Sequence, residues 1–270
     1  MRILALAITI LSICLLGTDA FALIGIDANT VLMLHSNGTD GSTNFVDDSF
    51  TPHSVTAYGN AQIDTTEKKF GSGSIKLDGN GDYLSIPDST DWDILASATE
   101  DWTVDFWVKH TDHTGEEAYV TQYVDGLHVW SLRHTDVGDN GLILAAHDGT
   151  PSIINTGKAG EITDTDWHHV ALIKIADEYG IYLDGTQVNY VQDASTATFA
   201  AALGIGALSG GGGWFFDGNI DEFRISKGIA RWTSDFTPPT SEYEVIPEPS
   251  TLLLLGFGLL GTVFKRKSLS

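Results

Sequence analysis

The 270-residue chain has a single cysteine, Cys14, which stands in its first apolar stretch. The rest of the chain therefore has no disulfide and no thiol nucleophile, which leaves a packed core and bound metal as sources of stability. Positive charge is scarce as well: 14 Lys and Arg face 36 Asp and Glu, for a formal net charge of −22. A chain of that sign repels nucleic acid and anionic membrane surfaces, and nucleic acid is excluded as a partner. There is no long helical period, no internal repeat, and no G-x-S-x-G, Walker or dinucleotide motif. The glycine-rich "GIGALSGGGG" (204–213) does not open a helix after a strand, and Gly210 to Gly213 read as a flexible hairpin loop.

What is present argues for a folded domain. Hydrophobic residues make up 42% of the chain and seven are tryptophan, too much apolar surface for a disordered acidic segment. The acids are then mostly a solvated surface.

The two ends read as processing signals. Arg2, the apolar run from Ile3 to Leu16 and "AFA" (20–22) have the order of a signal peptide over residues 1–22, with the mature chain starting near Leu23. Near the other end stands "PEPSTLLLLGFGLLGTVFKRK" (247–267), whose apolar stretch is short against the ~20 residues of a spanning helix. Pro247, Glu248 and Pro249 before it, with Lys265, Arg266 and Lys267 after it, resemble the PEP-CTERM sorting signal of Gram-negative bacteria. That resemblance implies transient inner-membrane retention, an exosortase as processing partner, and a destination at the cell surface or in the extracellular matrix. Residues 241–249 form the linker and the start of the motif, and 250–270 its apolar and basic parts. Losing residues 1–22 and 250–270 takes the net charge to −25, because Arg2 and Asp19 cancel while three cations leave with the tail.

Between the ends the pattern is all-β. Segments such as "SIKLD", where Ile75 and Leu77 alternate with Ser74, Lys76 and Asp78, are separated by glycine and Asp/Asn turns such as Asp184-Gly185. "DFWV" and "HVALIKI" are apolar on both parities and predict strands covered on both faces, in mid-sheet or beneath a long loop. Many short strands with no linker before residue 236 predict one two-sheet antiparallel β-sandwich.

In that order "VLMLHSNGTDG", "FGSGSIKLDGNGDYLSIP", "DWTVDFWVKH", "WHHVALIK", "IYLDGTQV" and "FDGNIDEFRISKGIARWTSDFTPPT" resemble the laminin G-like, concanavalin A-like jelly roll, placing one such domain over residues 23–240. The resemblance implies a sandwich whose relatives include sugar-binding, adhesive and structural modules and, on related folds, glycosidases. It also implies a structural calcium between the first strand's loop and the acid of the last "IDE" strand. Asp47 and Asp221 are the first ligands expected, with Asn37 next, standing where an aspartate is commoner. Turn-making alone accounts equally for these residues.

An enzyme reading lacks its carboxylates. Glycoside hydrolysis needs two acids facing each other across the bond, but no E-x-D-x-x-E strand is present, and Asp164 and Asp166 precede a strand. Asp221 and Glu222 are adjacent and so face opposite sides unless a bulge intervenes. His168 and His169 in "WHHVAL" resemble a structural segment of the family, and His110 and His113 have metal-like spacing but no evident third ligand. The expectation is an exported, non-enzymatic binding module for carbohydrate or exopolysaccharide, with Trp214 as the foremost stacking residue and Tyr123 and Trp130 behind it. A protein-binding structural or adhesive module and a divergent glycoside hydrolase are the alternatives.

Overall fold

A computed structural model describes residues 25–136, 140–149 and 152–246. The signal segment and the sorting residues Pro247, Glu248, Pro249, Lys265, Arg266 and Lys267 lie outside the described residues. One compact unit runs from Ala28 to Glu242. The segments on either side of it form a second unit, in which a parallel bridge joins Ile26 to Val245.

The larger unit is built of strands β1 (Thr30–Leu34), β2 (Thr56–Tyr58), β3 (Gln62–Asp64), β4 (Ser74–Asp78), β5 (Tyr83–Ile86), β6 (Trp102–His110), β7 (Glu116–Asp125), β8 (His128–Thr135), β9 (Gly141–Asp148), β10 (Ser152–Asn155), β11 (His168–Ile175), β12 (Glu178–Leu183), β13 (Thr186–Gln192), β14 (Leu203–Ile205) and β15 (Asp217–Lys227). They form two antiparallel sheets. One has the order β13-β12-β11-β6-β15-β4-β3, with β1 also on β15; the other is β10-β9-β8-β7-β14-β5-β2. The segment 74–87, continuous in sequence, crosses from one sheet to the other between β4 and β5.

Alternation sets the core. Val104, Phe106 and Val108 of β6, Val170 and Leu172 of β11 and Ile75 and Leu77 of β4 meet Val120, Trp130, Leu132, Leu142 and Leu144 of the other sheet, all buried. Each such large apolar side chain contributes ~1.5–3 kcal/mol on leaving water.

The last strand carries a bulge that shifts its parity. Asp221 pairs with Trp107 while Arg224 pairs with Asp105, so one extra residue stands on β15, and Glu222 has φ 51°. The shift lets Ile220, Phe223 and Ile225 all face the core while Arg224 turns outward.

The outer face of β6 and β11 is covered by the chain after β15. Trp232 and Phe236 stack on each other at 3.9 Å and both meet the ring of buried His169, packing with Ala171, Ile173 and Tyr182. This strap is pinned by Phe236 N donating to Gly185 O (2.8 Å) and by Arg231, whose Nε donates to Ser226 Oγ (3.0 Å). The double-sided apolar pattern of "DFWV" and "HVALIKI" follows, since both strands lie in mid-sheet with the core on one side and the strap on the other.

Candidate functional site

A groove of about 420 Å³ opens on the outer face of the β11-β12-β13 edge. Its depth comes from a missing side chain. Ile173, Gly180 and Tyr190 oppose one another across the three strands, and the middle position is glycine. A Cβ on Gly180 would stand 2.9 Å from the Tyr182 ring and 3.0 Å from the Gln187 amide nitrogen, so both side chains lean over the gap. Tyr190 is 49% exposed at the outer rim. Glu178, Gln187, Asn189 and Thr233 complete the polar part of the lining. One exposed aromatic, Tyr190, and a few polar groups around an open cleft are part of the usual chemistry of a small-ligand site. Sequence reasoning did not single out these residues, although a glycine inside the strand "EYGIYL" is a signal for close approach of another group.

The residues expected to bind sugar lie elsewhere, on the other sheet. Trp130 is fully buried, its Nε1 donating to Gln122 Oε1 (2.7 Å), and it presents no face to a ligand. Trp214 is half-buried, with the Arg133 guanidinium 4.5 Å over its ring and its carbonyl accepting from Ala118 N (2.9 Å). Tyr123 is half-buried and borders Gly212, while Tyr83 borders Gly211 and stacks on the exposed Tyr58 at 4.6 Å. The glycine run lies between these tyrosines as a closed turn, with Gly211 N bonded to Leu208 O (3.0 Å) and Leu208 N to Gly213 O (3.0 Å). Tyr58, Tyr83, Tyr123 and Trp214 thus lie around the glycine run or next to it in sequence, with Tyr58 and Tyr83 stacked on each other.

The three residues expected to hold calcium are each engaged separately. Asp47 accepts backbone hydrogen bonds from Met33 (3.0 Å), Ser49 (3.0 Å) and His53 (2.7 Å). Asp221 accepts from Lys69 (2.8 Å), Phe70 (3.0 Å) and Glu222 (2.8 Å). Asn37 Oδ1 accepts from Ser72, and its amide donates to Glu242 (2.5 Å). Carboxylates whose oxygens are taken by N–H donors tie loops together, and this donor set does not fit a cation that wants six to eight oxygens. Burial raises the Asp221 carboxyl to about 7 despite those amides.

The bulge at Glu222 separates two neighbouring acids in role as well as direction. Asp221 holds the 69–70 backbone, while Glu222 meets His35 Nδ1 at 2.6 Å. Burial tends to lower the His35 imidazole, but the Glu222 bond outweighs it and the pKa is raised.

The adjacent histidines also divide. His169 is buried among Trp107, Trp232 and Phe236, whereas His168 lies between Asp184 (2.7 Å) and Asp164 (2.9 Å), whose bonds raise it to about 9. Beneath the strap, Asp105 pairs with Arg224 (2.9 Å). Burial alone would raise that carboxyl, but Arg224 and His169 outweigh it and hold it at about 2.

The pair His110 and His113, which lacked a third ligand in the sequence, gains company in space. Glu117 and His134 join His110 in a buried cluster whose donor atoms lie within 4.8 Å of one another. Strand pairing brings them together, and no linear spacing could have shown it.

Comparison with known proteins agrees with this architecture. The family model of the concanavalin A-like lectin/glucanases superfamily matches residues 78–231, and that of the PEP-CTERM protein-sorting motif matches 245–267. Among solved structures, domain 4 of an extracellular arabinanase from Geobacillus stearothermophilus, in complex with arabinotriose, is 20% identical with a TM-score of 0.56, covering 75% of this chain and 94% of that one. The binding domain of botulinum neurotoxin DC in complex with SialylT is 13% identical with a TM-score of 0.52, covering 75% of this chain and 49% of that one. The same toxin domain in complex with rat synaptotagmin II is 12% identical with a TM-score of 0.53, and the chain again spans about half its length, 49%. At these identities the likeness concerns the fold. No curated protein sequence matches the chain. With the family model covering more than half of its length, the chain belongs to the concanavalin A-like lectin/glucanase superfamily and carries a PEP-CTERM sorting motif.

Proposed function

We propose that the protein is an exported, non-enzymatic carbohydrate-binding module that takes a sugar chain in the groove along β12 and β13. The groove itself carries this reading: Tyr190 stands exposed at its rim, and Gln187, Glu178 and Thr233 line it with groups that can bond hydroxyls. A non-catalytic role is supported by the single acid, Glu178, among the lining residues, where glycoside hydrolysis takes two. The sorting motif supports processing by an exosortase and a place at the cell surface or in the extracellular matrix.

Glycan-array binding of the full chain, compared with Tyr190→Ala, Gly180→Val and Trp214→Ala, tests the assignment. Loss of signal in the first two with retention in the third is expected. The reverse pattern would move the site to Tyr58, Tyr83, Tyr123 and Trp214, and a wild-type chain that binds no glycan would remove the carbohydrate reading.

A second reading, adhesion to a protein, is favoured by one observation. Val124 (49% exposed) and Leu127 (48%) stand together at the tip of the β7-β8 hairpin. Val124→Ser with Leu127→Ser should then weaken attachment to a protein surface and leave the glycan signal unchanged.

A further inference from the structure

Three strand ends meet in the layer between the sheets. His110 closes β6 and follows the inward parity of Val104, Phe106 and Val108. Glu117, near the start of β7, lies directly opposite His134 on β8, which follows the inward parity of Trp130 and Leu132. All three residues are buried. His110 Nδ1 is 3.0 Å from Glu117 Oε2, and His134 Nδ1 is 3.9 Å from the same oxygen.

His134 provides the independent observation. It is 1% exposed, and among the described residues neither of its ring nitrogens has a hydrogen-bond partner. Its ring faces that of His110 at 5.1 Å, edge to face. Buried polar groups are nearly always paired, and an imidazole with two unpaired nitrogens is costly to bury. A cation taking the Nδ1 lone pair removes that cost.

We propose that His110, Glu117 and His134 hold a divalent transition-metal ion of the zinc type, with a water completing the tetrahedron. Two imidazoles and one carboxylate are a zinc donor set, whereas calcium prefers oxygen alone.

The surroundings are those of a built site. Glu117 Oε1 is oriented by the backbone N–H of Asp217 (3.2 Å), leaving Oε2 for the cation. With Nδ1 on the metal, His110 keeps Nε2–H to donate to the Tyr119 hydroxyl, 2.7 Å away. Such outer partners fix the tautomer and the ring of a metal-binding histidine. At the rim His113 stacks on His110 at 4.9 Å.

The test uses the full chain, stripped with chelator and titrated with Zn²⁺ alone. We expect one zinc per chain retained on desalting, a raised unfolding midpoint, and a tetrahedral visible spectrum when Co²⁺ is the probe. His134→Ala and Glu117→Gln should weaken Zn²⁺ binding at least about tenfold, while His128→Ala, a histidine outside the cluster, should keep it. Substoichiometric zinc in the wild type, an octahedral cobalt spectrum, or full zinc retention by His134→Ala would each overturn the proposal. The wild-type titration and spectrum decide the matter even if a variant fails to fold.

Discussion

Replacing Asp105 with Asn removes the charged partner that meets the guanidinium of Arg224, which is fully buried on the outer face of the larger sheet beneath the strap. Moving the Asp105 carboxyl from 3.8 to about 2 corresponds to about 2.5 kcal/mol of stability at neutral pH. Breaking a buried pair by removing one partner costs ~3–5 kcal/mol. Because the folded pKa is depressed, the contribution is complete above the unfolded value and disappears as pH falls from about 4 through about 2. Urea unfolding at pH 7, followed by tryptophan fluorescence, should therefore show Asp105→Asn losing ~3–5 kcal/mol. Asp105→Leu combined with Arg224→Met should be close to wild type, since an apolar pair of similar volume removes both charges together. A loss below about 1 kcal/mol for Asp105→Asn, the size of an exposed ion pair, would refute the reasoning. So would a double variant as unstable as the single one.

Four further outcomes are expected. His168, raised to about 9 by Asp184 and Asp164, contributes stability that is complete below its unfolded value near 6.5 and is lost as pH rises through 9; His168→Gln should flatten the urea midpoint over that range. Gly185 has φ 79° and its Cβ would stand 1.9 Å from Phe236 O, so Gly185→Ala should cost ~1–3 kcal/mol and loosen the strap, read as faster proteolysis near residue 236. Excess calcium should leave the thermal midpoint unchanged, because the oxygens of Asp47 and Asp221 are occupied by backbone amides; a raised midpoint would restore the calcium reading. Mass spectrometry of the secreted form should find a C-terminus that lacks Lys267, and an intact tail would contradict processing.

The sandwich was legible because alternation and turn residues are local. Ile75 and Leu77 face inward as their parity predicts, and "HVALIKI" is covered on both faces. β7 was harder to see. Its inner face includes Glu117 and Gln122, both buried polar residues that break the apolar alternation, and Gln122 is bonded to Trp130, Asp88 and the Phe199 and Ala201 carbonyls. The groove escaped notice because it arises where Ile173, Gly180 and Tyr190 come into register, and register depends on strands 173 to 190 pairing in space. The adjacency of Asp221 and Glu222 was read correctly as a question of bulging, yet only φ at Glu222 answers it. A lone backbone reversal inside a strand leaves no periodic trace.

The placement of β15 bears on the order in which the domain is assembled. This strand pairs with β6 along its length, with β4 beside its first half and β1 beside its second. Partners at residue 30 and at residue 226 must find each other across nearly the whole domain, and such distant pairings make for slow folding. During export N-terminus first, the larger sheet stays open until residues 217–227 emerge, and the sorting motif begins only at 245. A chain that emerges N-terminus first therefore completes this sheet only with its last strand, just ahead of the sorting motif.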